Sequence, residues 1–300
     1  LLHHQLLGEF EMKHILTIVI CAALAACGGG GPVAPSQTAQ QPQTKTGTTT
    51  APQTCVALNT SGGIKCHVTI YLAGDSTMWG VDADYTDNQQ QAPGVNNGVV
   101  GRAHKSPAQL LQADMNATFG EGVVGVIDGS IPGSTFPSDL NGTAPSLAPL
   151  ASRLAALPVH ADIVITNSEI NDQYVLHENV STYTAYAQQW IQTVQAYGAI
   201  PVYAEPNPTS RSDSNYFDPT YGTNALVQSA GPVFTNAGGY VLPNLSQWEN
   251  YTAPPNASPW NVIWLSSDGV HPNDAGYADK EKNYFPALKP IVAKLVGGAS

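Results

Sequence analysis

Beyond His67 the chain carries five short strand-like runs, each followed by a polar or glycine-rich segment. The first, Val68 to Ala73, is apolar and rich in β-branched residues, as a strand buried on both faces requires. Val123 to Ile127, Asp162 to Thr166, Ile200 to Ala204 and Gly239 to Leu242 are the others. Helical spacing alternates with them. It is clearest over Ser181 to Tyr197, where Tyr183, Tyr186, Ala187, Trp190, Ile191, Val194 and Tyr197 fall on one stripe and predict a core-facing helix. Pro107 to Phe119 is predicted helical, with Ser106 as cap and Pro107 in the first turn. A last helix is predicted over Asn273 to Val296, broken or kinked near Pro286 and Pro290. Strands alternating with helices predict an α/β domain, a three-layer α/β/α sandwich around a central parallel sheet. Ligands of such sheets bind beyond the carboxyl ends of the strands, so the loops that follow them are where chemistry is expected.

The first quarter of the chain has a different pattern. Residues 1–11 read as an upstream extension, and 12–26 as a lipoprotein signal peptide: Met12, Lys13 and His14 precede an apolar run, Ile15 to Ala26, too short for a stable bilayer span. It ends in Leu24-Ala25-Ala26-Cys27, which resembles a bacterial lipobox and implies lipidation of Cys27 and a bilayer as partner. An ordinary signal peptide with a chance cysteine is the alternative. Residues 27–54 are rich in Pro, Gln, Ser and Thr with no aromatic residue, and cannot bury enough apolar surface to order themselves. They read as a flexible tether between lipid and a domain at 55–300. The expected location is the bacterial cell envelope, lipid-anchored, or outside the cell.

Composition narrows the function. With a formal charge of −11 and 11 Lys and Arg scattered along 300 residues, there is no basic stripe for a nucleic-acid backbone. Cys55 and Cys66 are the only cysteines in the body of the chain, and their simple reading in an exported protein is a disulfide across a short loop; two separate buried thiols are the alternative. His67, His104, His160 and His177 lack metal-ligand spacing, so neither a metal nor a cofactor is expected.

Two segments carry the chemistry. Gly74-Asp75-Ser76-Thr77 directly follows the first strand, and Asp268-Gly269-Val270-His271-Pro272 directly precedes the last helix. Acyl transfer needs a hydroxyl activated by a neutral imidazole, and an anion that orients the imidazole. Ser76, His271 and Asp268 are of those three types, with acid and base three residues apart so that one turn can position both. The order Ser, Asp, His also occurs in α/β-hydrolases, but Met78 stands where their G-x-S-x-G elbow needs its second glycine.

These segments resemble the first and fifth blocks of the GDSL/SGNH-hydrolase superfamily. That resemblance implies a flavodoxin-like sheet, serine esterase or lipase activity, and an oxyanion hole built from the Ser76 N–H, a glycine N–H and an asparagine side chain. In Gly129-Ser130-Ile131-Pro132-Gly133, Gly133 matches the family glycine best, with Gly129 close by. The family's G-x-N-D segment corresponds to Glu169-Ile170-Asn171-Asp172, where Asn171 matches and Glu169 replaces the glycine. A carboxylate two residues from an oxyanion donor is unwelcome unless it points away or is paired. The expected activity is hydrolysis of small or short-chain acyl esters by a monomer. Removal of O-acetyl groups from an acylated glycan, or a lipid-anchored binding protein with a vestigial site, are the alternatives. The aromatic segments Pro206 to Tyr221 and Trp248 to Trp260 would contact sugars or acyl chains, or simply form ordered surface loops.

Overall fold

The computed structural model describes residues 68–94, 98–209, 222–245, 247–248 and 264–297. The expected signal peptide, Cys27, the expected tether, Cys55, Cys66 and most of the two aromatic segments lie outside the described residues. Among the described residues there are seven strands: β1 (Val68–Leu72), β2 (Gln89–Gln91), β3 (Val99–Gly101), β4 (Val124–Asp128), β5 (Ile163–Thr166), β6 (Ile200–Ala204) and β7 (Tyr240–Leu242). Five form one sheet in the order β4-β1-β5-β6-β7, every neighbouring pair parallel, while β2 and β3 form a separate antiparallel hairpin. Counting only the parallel strands, the order is 2-1-3-4-5, the flavodoxin-like arrangement, whose switch point lies beside β1.

The strands' two-residue period sorts their side chains into two cores. Tyr71, Val164 and Tyr203 pack on one face with Phe136, Leu150, Tyr183, Trp190, Val194 and Phe234. The helices there are α3 (Phe136–Asn141), α4 (Leu150–Ala155), α6 (Val180–Tyr197) and α7 (Thr223–Asn236). Ile70, Leu72, Ile163, Ile165 and Val202 pack on the other face with Leu111, Met115, Leu288, Ile291 and Val292. These come from α2 (Pro107–Phe119) and α8 (Asp274–Val296). Both faces of the sheet are therefore covered, which explains why β1 is buried along its whole length. In the first core Trp190 lies 6.2 Å from Phe136 and 5.8 Å from Phe234, ring centre to ring centre, so the aromatic stripe of α6 is core, as its spacing indicates.

Three differences from the sequence reading have physical causes. Helix α8 runs unbroken through Pro286 and Pro290. Both prolines lie on its exposed side, where water can satisfy the carbonyls they leave, while Tyr284, Leu288, Ile291 and Val292 anchor the opposite side in the core. Helix α7 has no counterpart among the expected elements; it contains Pro232, and burial of Leu226, Val227, Ala230 and Phe234 carries the helix past it. The hairpin β2–β3 has too little apolar content to be legible; it is an excursion between the first strand's loop and α2. The expected cap on α2 is a full capping box, in which Ser106 and Gln109 satisfy each other's backbone N–H.

Candidate active site

The loop after β1 turns directly into α1 (Ser76–Trp79), which places Ser76 at the first helical position beyond the sheet's carboxyl edge. Its backbone N–H is among the four that a helix leaves without an intrahelical acceptor. Asp75 caps this turn: its Oδ1 accepts from Thr77 N at 2.8 Å and from the Thr77 hydroxyl at 3.0 Å. Asn167, from the loop after β5, braces the cap by accepting from Asp75 N at 3.0 Å and donating to Asp75 Oδ1 at 2.9 Å and Thr77 Oγ1 at 2.7 Å. Asp75 is fully buried, so it shapes the turn from behind and leaves Ser76 partly exposed at the surface.

The second segment folds into a tight turn ahead of α8. Asp268 Oδ1 accepts from Val270 N at 2.8 Å, His271 N at 3.0 Å and the Ser266 hydroxyl at 3.0 Å, leaving Oδ2 to meet His271 Nδ1 at 2.5 Å. His271 Nε2 then lies 2.9 Å from Ser76 Oγ, across 195 positions of sequence. Burial pushes the Asp268 carboxyl upward, but the hydrogen bond and charge of His271 and the two N–H donors outweigh it and hold the group well below the usual carboxylate range. Asp268 is therefore an anion at any pH where the protein works, placed to keep Nδ1 protonated and Nε2 turned to the serine.

Ser76, Gly133, Asn171, Asp268 and His271 line one open cleft of about 380 Å³, with Val81, Val100, Pro132, Ile170, Tyr174, Val175 and Val270 as its apolar walls. The structure thus places in one cleft the five residues expected as triad and oxyanion groups. Of the two candidate glycines, Gly133 has φ +84° and an added Cβ would meet Pro145 Cγ at 3.3 Å. Gly129 serves packing instead: a Cβ there would fall 2.1 Å from the Tyr71 ring, and its N–H is spent on Leu72 O at 2.9 Å. Asn171, in α5 (Ile170–Tyr174), donates one amide hydrogen to Ser134 O at 3.1 Å, which ties its helix to the Gly133 loop and leaves the second hydrogen for a ligand.

Glu169 does not face the cleft. Its φ of −175° is ordinary extended backbone, so no glycine is required, and the side chain is completely buried. Burial pushes its carboxyl well above the usual range; Thr223 opposes this only in part and the charge of Asp75 adds to it, so burial favours the uncharged form. The neighbouring Asp172 is likewise pushed well up by burial and by Glu178, and its Oδ1 accepts from Phe136 N at 2.9 Å, fastening α3 to α5.

Several contributors carry no sequence signal. Arg102 lies 4.3 Å over the Trp79 ring and bonds Trp79 O at 2.9 Å, Gln90 at 3.0 Å and Asp128 at 2.6 Å, which pins the β2–β3 excursion against the nucleophile turn and brings Val100 to the cleft. Arg153 pairs with buried Asp139 at 2.6 Å and donates to Gly129 O at 3.1 Å, holding the glycine-rich loop from below. Among the described residues no group of three or more His, Cys, Asp and Glu side chains is arranged to hold a metal ion.

No family model and no curated protein matches this chain. Solved structures do share its architecture. TesA superposes with a TM-score of 0.52 at 18% identity, over 74% of this chain and 99% of that one. The esterase EstA from Pseudoalteromonas sp. gives 0.50 at 14% identity, over 75% and 99%, and the family 3 carbohydrate esterase from Clostridium thermocellum 0.51 at 14%, over 77% and 100%. The fold is that of SGNH-hydrolase structures: an α/β domain with a five-stranded parallel sheet flanked by helices. At these identities the likeness extends to the fold alone.

Proposed function

We propose that the protein is a serine ester hydrolase that acts on small or short-chain acyl esters. The observation that carries this reading is the chain of contacts from Ser76 Oγ to His271 Nε2 at 2.9 Å and from His271 Nδ1 to Asp268 at 2.5 Å, in the same cleft as Gly133 and Asn171. Ser76 Oγ attacks the acyl carbon while His271 Nε2 takes its proton, and the carbonyl oxygen, now an anion, is received by the N–H groups of Ser76 and Gly133 and the Asn171 amide. His271 returns the proton to the departing alcohol as the ester C–O bond breaks. Water then attacks the acyl-enzyme, with His271 again as base, releasing the acid and restoring Ser76. Asp268 stabilises the imidazolium formed in each half.

Apart from Asp268 and His271, the described residues that line the cleft carry no charged side chain, which suits an uncharged acyl group. A second reading, removal of O-acetyl groups from a polysaccharide, uses the same residues and is favoured by the fold shared with the carbohydrate esterase. Cys27 would tether the enzyme to a bilayer through the Pro-, Gln-, Ser- and Thr-rich segment that follows it. Hydrolysis of p-nitrophenyl esters of increasing chain length, beside acetylated glycans, tests both readings. Turnover of short esters that is lost in Ser76→Ala is the expected result, activity confined to acetylated glycans selects the second reading, and no turnover of any ester refutes both.

A further inference from the structure

The inner side of α8 carries an ammonium where an apolar residue would fit. Lys280 is 3% exposed and borders a small cavity with Leu72, Met78, Leu111, Ile165 and Leu288. Its Nζ makes no ion pair among the described residues, and the rings of Tyr277 and Tyr284 lie 6.0 and 5.8 Å away. Burial pushes the amine down to about 8, with the Asp75 charge opposing. A buried cation is costly unless its hydrogens are used, and a hydrocarbon side chain would fill this space more cheaply.

Its two hydrogen bonds go to opposite halves of the site. One reaches Thr77 Oγ1 at 3.5 Å, the residue after Ser76, whose hydroxyl donates to Asp75 and accepts from Asn167. The other reaches Asn207 Oδ1 at 3.2 Å, in the loop after β6. The Asn207 amide donates in turn to Val270 O at 2.8 Å, the residue before His271. Beneath the Ser76–His271 contact there is thus a second path, Thr77 to Lys280 to Asn207 to Val270, that spans the same gap from the protein interior. Asp75, fully buried with Oδ2 lacking a hydrogen-bond partner among the described residues, acts on the ammonium through its charge.

We propose that Lys280 is a positioning residue of the hydrolase, whose ammonium holds the Ser76 turn and the Asp268–His271 turn in register through Thr77 on one side and Asn207 and Val270 on the other. The inference rests on Ser76 and His271 acting as nucleophile and base. A link of this kind changes the distance and angle between reacting groups and leaves the substrate's contacts alone, so its loss lowers kcat and spares KM.

The test uses Lys280→Met, Asn207→Ser and the double variant. Each is assayed for steady-state turnover of a short-chain p-nitrophenyl ester and for the rate of phosphonylation of Ser76 by a fluorophosphonate, with circular dichroism to establish folding. Each single change should lower kcat about tenfold and slow phosphonylation in parallel, with KM moved by no more than about twofold. The double variant should fall no more than about twofold below the slower single one, because both break one path. Wild-type kcat in folded Lys280→Met, or a double loss equal to the product of the single losses, would overturn the proposal. Should Lys280→Met not fold, wild-type kcat in Asn207→Ser overturns it alone. Failure of the underlying reading is seen separately, as a wild-type protein that takes no phosphonate at Ser76.

Discussion

Replacing Glu281 by glutamine is expected to stabilise the protein, and to do so increasingly as pH rises. Glu281 lies on the buried side of α8, 7% exposed, with Oε1 lacking a hydrogen-bond partner among the described residues. Burial, with the charge of Asp114 adding to it, pushes its carboxyl from the ordinary 4.5 up to about 8. Between those two values the unfolded chain has released this proton and the folded protein still holds it, so stability falls as pH rises through the window. At 1.36 kcal/mol per pH unit, with the curvature near each end included, going from about pH 5 to pH 8 removes about 3 kcal/mol. Glutamine has nearly the same shape and does not titrate. The melting temperatures of the two proteins should therefore diverge by roughly 10 °C across that range, at about 2–4 °C per kcal/mol for a domain of this size. The other buried acids, Asp139, Glu169, Asp172 and Glu178, are present in both proteins and cancel. Lys280, pushed down to about 8 by burial against the pull of Asp75, is also present in both proteins, and its own slope begins only above that pH. Thermal melts followed by circular dichroism at three pH values supply the comparison. A gap that stays constant from about pH 5 to pH 8 would show that Glu281 is not a buried neutral acid.

Three further outcomes are expected. Ser76→Ala and His271→Ala should each remove nearly all turnover, and the double variant should be little worse, because the two groups act as one unit; losses that multiply, measured by kcat on a short ester, would contradict this. Asn171→Ala should lower kcat on the order of 100- to 1000-fold with little change in KM, since it removes one oxyanion donor and leaves the Ser76–His271 contact in place; a loss seen mainly in KM would assign Asn171 to substrate binding. Produced in a bacterial host, the mature chain should begin at a diacylglyceryl-modified Cys27, and mass spectrometry showing an unmodified N-terminus at another residue would exclude the lipid anchor.

Much of the architecture is written in local pattern. Five runs with strand character alternate with amphipathic stretches, and that alternation is enough for a parallel sheet covered on both faces, because each period states which side chains must leave water. Ser76, Asp268 and His271 were legible for a similar reason: a strand end, a tight turn and the start of a helix each have a short-range signature that holds the residue in place. Signals that compete locally were misread. Gly231-Pro232 and the prolines of α8 oppose helix within a few residues, and only burial against the sheet, contributed by residues far away in sequence, overrides them. Glu169 is the sharpest case, since beside Asn171 in sequence it reads as a charge against the oxyanion, whereas in the fold it is fully buried and burial disfavours its charged form. The braces were beyond reach altogether. Asn167, Arg102, Arg153, Asn207 and Lys280 act on residues as far as 203 positions away, and a polar side chain's partner has no local period to betray it. The sequence alone therefore determined the five parallel strands and the loops that carry Ser76, Asp268 and His271; tertiary structure alone decided which glycine lines the cleft, where the Glu169 side chain lies, and which groups brace the Ser76 turn, because those depend on groups that only folding brings together.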